Sequence, residues 1–132
     1  MLQNMPPWGQ LLAVFIGGAI GSVARFMSGY LLALWWGPNF PWGTLFVNVV
    51  GSLWLGWFGS VTIQRPGLVD PVVRLALTAG FAGGFTTFSS LAFESIALFQ
   101  RGDLKLALLN LALNFVLGLS AAVIGVILAR LF

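Results

Sequence analysis

Asn48, Asn110, Asn114, Glu94 and Arg25 interrupt stretches of sequence that are otherwise apolar enough to sit in lipid. Polar side chains in such segments are costly, and they tend to face a cavity, a partner or one another. Asn110 and Asn114 are four residues apart and so share a helix face, which Gly118 extends; two stacked amides favour a polar track. Asn48 follows Thr44 by one turn and serves either as an interhelical hydrogen bond or as a functional amide. Each of these amides carries two N–H donors, and the hydroxyls of Thr87 and Ser90 add more. Glu94 stands about two turns beyond Thr87 on the same face, either continuing the track or reaching the far interface. Arg25 either snorkels to the membrane surface or lends positive potential to a vestibule. The chain has no cysteine and no histidine. Thiolate chemistry, imidazole base catalysis and most transition-metal sites are therefore excluded, and no acid, base and nucleophile converge as in an enzyme.

The densest signal is Gly80-Phe81-Ala82-Gly83-Gly84-Phe85-Thr86-Thr87-Phe88-Ser89-Ser90. Gly83-Gly84 followed by the β-branched pair Thr86-Thr87 is poor helix sequence and predicts a broken helix. Non-helical backbone at bilayer depth survives only when buried in protein or facing a polar cavity. The carbonyls of such a break suit a hard cation such as Na⁺, while its N–H end favours an anion. The plainer alternative is a kink at a glycine pair.

The elements that must position these residues follow from composition. Of 132 residues, 59% are hydrophobic and 7% charged, against about 25% charged in soluble domains. A membrane-spanning helix uses about 20 residues, so four consume nearly the whole chain. They are expected at about 10–34, 43–63, 71–99 and 104–131, within a single membrane domain over 1–132 and with no cleaved leader. Trp35, Trp36, Gly37, Pro38, Pro41 and Trp42 form the first connection, an interfacial aromatic belt. Gln64, Arg65, Pro66 and Gly67 form the second, and Gln100, Arg101, Gly102 and Asp103 the third.

Arg65, Arg74 and Arg130 fall on the side of the termini, and Arg101 and Lys105 on the other, with Arg25 in or near the end of the first helix. That is almost no basic bias to fix orientation. Either the first helix decides by other means, or the chain inserts both ways and pairs with its inverted copy. The net charge of +3 comes from scattered residues and does not indicate nucleic acid. Gly17 with Gly21, Ser52 with Gly56, Gly56 with Ser60 and Gly118 with Ala122 have helix-packing spacing, which argues for a dense bundle and an oligomer. Four helices do not easily enclose an aqueous route, so a pathway is expected between subunits. In an inverted pair the break would sit on the symmetry axis, where carbonyls of both copies could surround one cation.

The sequence resembles the Fluc (CrcB-type) fluoride-channel family of small four-helix microbial membrane proteins. The resemblance rests on Gly21-Ser22-Val23-Ala24-Arg25-Phe26, on Trp42-Gly43-Thr44-Leu45-Phe46-Val47-Asn48-Val49-Val50-Gly51-Ser52, on Gly80 to Ser90 and on Gln100-Arg101-Gly102. It covers essentially the whole chain. It implies an all-α, antiparallel, dual-topology homodimer in the inner (plasma) membrane, exporting fluoride passively through two pores, with a structural Na⁺ at its centre. By position, the carbonyls of Gly83 and Thr86 would hold the Na⁺, and Asn48 and Phe88 would be the pore amide and first pore phenylalanine. Glu94, Asn110, Asn114 and the vestibule residue Arg25 also match, and Thr44, Thr87 and Ser90 complete the expected anion pathway. Two departures stand out: Leu91 occupies the position of the second pore phenylalanine, and Asn114 and Gly118 stand where the fourth helix usually has serines.

Two other readings are weighed. A small multidrug-type exporter would need a first-helix acid to couple protons, and the first helix here has Arg25 and no acid. A non-transporting assembly subunit would account for the glycines and aromatics but leave the three asparagines as packing residues.

Overall fold

The computed structural model describes residues 6–131; positions 1–5 and 132 of the expected domain lie outside the described residues. All regular structure among the described residues is helical, in four spans: α1 Trp8–Trp36, α2 Trp42–Gln64, α3 Pro71–Gln100 and α4 Leu104–Ala129. The expected boundaries fall within two residues of these ends. The shortest span has 23 residues; at 1.5 Å per residue it is about 35 Å long, enough to cross a hydrocarbon layer of about 30 Å. At most 28% of the most apolar window of any span is buried. Side chains such as Phe15, Ile20, Val23 and Leu119 therefore project outward, as lipid-facing residues must.

The connections are short and made by local chemistry. Between α1 and α2 the ring of Trp42 meets Trp36 edge-on at 5.1 Å and Phe40 at 4.7 Å. At the start of α3, Asp70 Oδ1 accepts the Val72 N–H at 2.8 Å, with Pro71 in the first turn. This satisfies a donor that a helix start leaves open. At the end of α3, Asp103 N–H reaches Leu98 O and Gly102 N–H reaches Phe99 O, both at 3.0 Å. That paired return requires a left-handed residue, and Gly102 supplies it with φ 88°.

Packing is set by backbone approach. A Cβ built on Gly21 would meet Phe81 O and come within 2.9 Å of Phe85 N, so α1 lies backbone-close to α3. Across the bundle, a Cβ on Gly125 of α4 would meet Leu53 O and lie 2.6 Å from Trp57 N, and one on Gly56 of α2 would meet Ala122 O. The inward face of α4 runs through Ala107, Asn110, Asn114, Gly118, Ala121, Gly125 and Ala129, small residues except for the two amides. Where these crossings occur, the helices widen to π-helical turns at Leu55–Gly59 and Ala76–Ala82. Trp54 Nε1 donates to Leu77 O at 3.2 Å and ties one widened region to the other.

Two residues inside α3 leave helical geometry: Thr86 (φ −83°, ψ 160°) and Thr87 (φ −155°, ψ 120°). Gly83 and Gly84, expected to disrupt the helix, are themselves helical. Gly84 serves a different end, since a Cβ there would lie 2.5 Å from Gly18 O on α1. The threonines leave the ladder because their hydroxyls offer substitutes for it. Thr86 Oγ1 donates back to Ala82 O at 2.9 Å, and Thr87 Oγ1 accepts the Ser90 N–H at 3.1 Å, capping Phe88–Gln100.

Gly125→Ala is expected to lower stability by about 1–3 kcal/mol, the range for overpacking against atoms that cannot move aside. Gly59→Ala, where an added Cβ meets nothing within 4 Å, is expected to be neutral or stabilising. Thermal unfolding of the two variants in one detergent separates the cases; equal midpoints would refute the close crossing.

Candidate functional site

Thr87 is the residue around which the polar groups gather. Its N–H donates to Asn48 Oδ1 at 2.8 Å, and its carbonyl accepts from Asn48 Nδ2 at 3.1 Å. The Asn48 amide thus pairs with a main-chain segment in both directions, replacing hydrogen bonds lost where α3 is extended. In an unbroken helix the Thr87 N–H would close on Gly83 O; its diversion leaves that carbonyl without its usual donor. Gly83 itself is exposed, and a Cβ built on it would meet nothing within 4 Å.

From Asn48 the network runs inward. Asn48 Nδ2 also donates to Asn114 Oδ1 at 2.8 Å, and Asn114 Nδ2 donates to Asn110 O and Oδ1 at 2.9 and 3.0 Å. Asn110 Nδ2 donates to Ser95 Oγ at 3.0 Å, and Ser95 Oγ to Leu91 O at 2.7 Å. The chain of bonds leaves α3 at Thr87 and returns to it two turns later. Both N–H groups of Asn48 and of Asn114 are engaged within the protein.

Two open cavities lie on either side of Thr87, which lines both. One, of about 560 Å³, is bounded by Asn48, Gly51, Ser52, Thr86, Phe88, Leu91, Asn114 and Phe115. The other, of about 530 Å³, is bounded by Ser22, Arg25, Tyr30, Thr44, Ser90 and Glu94. Thr44 and Glu94 also border a third, of about 330 Å³, which extends the second toward Asn39 and Arg101 at the end of the bundle. Thr44 Oγ1 donates to Glu94 Oε1 at 2.8 Å, while Glu94 Oε2 is buried with no hydrogen-bond partner among the described residues. Arg25 Nη1 reaches Thr86 O at 3.4 Å, so its guanidinium points at the extended segment. Ser90 Oγ accepts from Thr87 Oγ1 at 3.1 Å. The long Phe88–Gln100 helix begins here, and its N-terminal N–H groups carry partial positive charge toward the same region.

Of the expected site residues, the structure brings together Thr44, Asn48, Thr86, Thr87, Phe88, Ser90, Glu94, Asn114 and Arg25 at these cavities. Asn110 departs from the expected polar track. It is wholly buried and lines neither cavity, because the face that it shares with Asn114 is the packing face of α4. Its amide holds Asn114 and Ser95 in place. Glu94 is tied to Thr44 across the interface between α2 and α3. Sequence reasoning missed Ser95, Tyr30 and Phe115. Tyr30 had a signal, as the one tyrosine in the chain, lying half a turn or so past Arg25's own turn on α1. Ser95 and Phe115 had none, since serines and phenylalanines are ordinary in such helices.

Asn48→Ala removes the partner of both the N–H and the carbonyl of Thr87 and one of Asn114's acceptor contacts. Each buried polar group left unpaired costs about 1–3 kcal/mol. The variant is expected to unfold well below the parent in a detergent melt, and more so than Asn39→Ala in the α1–α2 connection; parity between them would mean the amide does not hold the extended segment.

Comparison with known proteins identifies the family of the chain. A family model described as "CrcB-like protein, Camphor Resistance (CrcB)" matches residues 12–126, from the first turns of α1 to the last turns of α4. Relatives named "Fluoride-specific ion channel FluC" include one from Sulfurihydrogenibium sp. (strain YO3AOP1), 42% identical over 91% of this chain and 96% of its own. Another, from Nitrobacter winogradskyi, is 41% identical over 93% and 97%, and one from Koribacter versatilis is 44% identical over 88% and 90%. The family model spans every residue of the Thr87 network and of both cavities, and with relatives more than 40% identical over most of its length the chain belongs to the CrcB family.

Proposed function

We propose that this chain conducts fluoride passively across a bilayer, as the names of its relatives describe for them. The observation that carries the reading is the extended Thr86-Thr87 segment, held by Asn48 between two open cavities in a protein whose four helices are long enough to span a membrane. Fluoride is small and strongly hydrated, so a pathway must offer donors in place of water while holding the ion loosely enough for release. Thr87 Oγ1 donates to Ser90 Oγ, which leaves the Ser90 proton free to turn toward an anion. The N-terminal N–H groups of Phe88–Gln100 add positive potential there. The edge of the exposed Phe88 ring adds more without a formal charge. Arg25 stands at the cavity wall with its guanidinium on Thr86 O, drawing anions inward from a position beside the route.

Each cavity is open along one side of the chain, and a conducting path needs that side covered. A second, inverted copy is the cover this reading adopts, giving two pathways per dimer; the near balance of Lys and Arg between the two ends is what supports dual insertion. The cellular site would be the inner (plasma) membrane, where fluoride entering as the neutral acid would be let out again.

A structural Na⁺ at the dimer centre belongs to the same reading. The donors fit: the Gly83 carbonyl has lost its helical donor to Asn48, and Gly83 is an exposed residue with open space beside it. The Thr86 carbonyl, though contacted by Arg25 at 3.4 Å, keeps a second lone pair. Bound there, the ion would supply charge to hold the two extended segments together. Two carbonyls do not fill the shell of a hard cation, so an equal pair from the second copy would be required.

Fluoride efflux from liposomes bearing the purified protein, read with a fluoride electrode and with chloride as control, tests the function. Rapid fluoride release without chloride release is expected. No release from well-folded protein would defeat the reading and favour an assembly subunit. Exchanging Na⁺ for N-methylglucamine throughout purification is expected to lower the melting temperature of the dimer and not that of a Gly83→Leu variant, whose side chain would cover the open carbonyl.

A further inference from the structure

The cavity between α2, α3 and α4 holds two exposed aromatic rings rather than one. Phe88 of α3 is 71% exposed and Phe115 of α4 is 53% exposed, and both line the same space beside Asn48 and Asn114. Of the two leucines on that wall, Leu91 is 4% exposed and turned into the core, and Leu55 of α2 is aliphatic with no ring edge to offer. Two further phenylalanines are close in sequence, and the structure removes both. Phe85 is buried and stacked on Phe81 at 5.5 Å, while Phe93 lines the separate cavity that leads toward Arg101.

The amides of this cavity do not present free donors. Both N–H groups of Asn48 go to Thr87 O and Asn114 Oδ1, and those of Asn114 go to Asn110. An anion in this space therefore meets aromatic C–H edges before it meets an uncommitted amide. Ring edges carry the positive part of the aromatic quadrupole, and two rings on different helices can offer that edge from opposite walls. Phe115 is fixed for this by its neighbour, since Asn114 is locked to Asn48 and Asn110 and so sets the rotation of α4 at this level.

From this geometry we infer that Phe115 is a second anion-contacting ring of the pathway, opposite Phe88, in a chain where Leu91 offers no edge. The inference rests on the fluoride-channel reading. Its test is fluoride efflux from liposomes bearing the parent, Phe115→Leu, Phe15→Leu and a protein with pentafluorophenylalanine incorporated at 115. Phe15 is an exposed ring of α1 away from the cavities and controls for loss of any surface ring. If the parent itself releases no fluoride, the channel reading fails and this inference falls with it.

With an active parent, Phe115→Leu is expected to slow efflux by about threefold to tenfold, the scale of one aromatic contact, while Phe15→Leu matches the parent. The pentafluoro ring keeps the shape of the side chain and inverts its edge potential, so it is expected to slow efflux at least as much. It decides the matter if the leucine variant fails to fold. Parent-like efflux from the pentafluoro protein, or from folded Phe115→Leu, would overturn the inference.

Discussion

The structure turns on one exchange of hydrogen bonds: the side-chain amide of Asn48 takes the place of main-chain partners for Thr87. In lipid an unpaired N–H or C=O costs several kcal/mol, and water is not there to relieve it. An extended pair of residues in the middle of a membrane helix therefore requires a partner with one donor side and one acceptor side. A carboxamide carries the two on separate atoms, spaced to meet an N–H and a C=O at once. The central polar network is arranged around meeting that requirement, from the hydroxyl cap that Thr87 gives Ser90 to the asparagines that hold Asn48 at the right angle.

The same exchange links structure to chemistry. Diverting the Thr87 N–H to Asn48 frees the Gly83 carbonyl on one side, and restarting the helix at Phe88 aims its N-terminal N–H groups on the other. One local departure thus leaves a carbonyl without its helical donor and a fresh helix N-terminus a few residues apart. The network also shows that the amides are committed to shape. Asn110 is the clearest case: it is fully buried and bonded to Ser95 and Asn114, so it holds the wall without reaching it.

Backbone proximity makes this possible. Lipid gives helices no hydrophobic reason to associate, so contact depends on close van der Waals fit. Glycines at 17, 21, 56, 84 and 125 bring main chains together where a single Cβ would collide. Asparagine is a short side chain, and it spans from α2 to both α3 and α4 only because those helices lie so near.

The sequence by itself determined the four spans, their ends to within two residues, and the polar residues that had to find partners. Apolar length and scarce charge have few solutions in a bilayer, and Gly, Pro and Asp mark helix ends by local rules. Thr86-Thr87 were also legible as poor helix, although Gly83 and Gly84 proved to be helical themselves, Gly84 as a contact point against α1. Only the tertiary structure decided which partner each polar group takes. The spacing of Asn110 and Asn114 says that they share a face, not whether that face meets a cavity or another helix, because rotation about the helix axis is fixed by all the contacts at once. For the same reason Phe88 and Phe115, 27 positions apart in the chain, both stand exposed in one cavity, while Leu91, a single turn from Phe88, lies almost wholly buried in its wall.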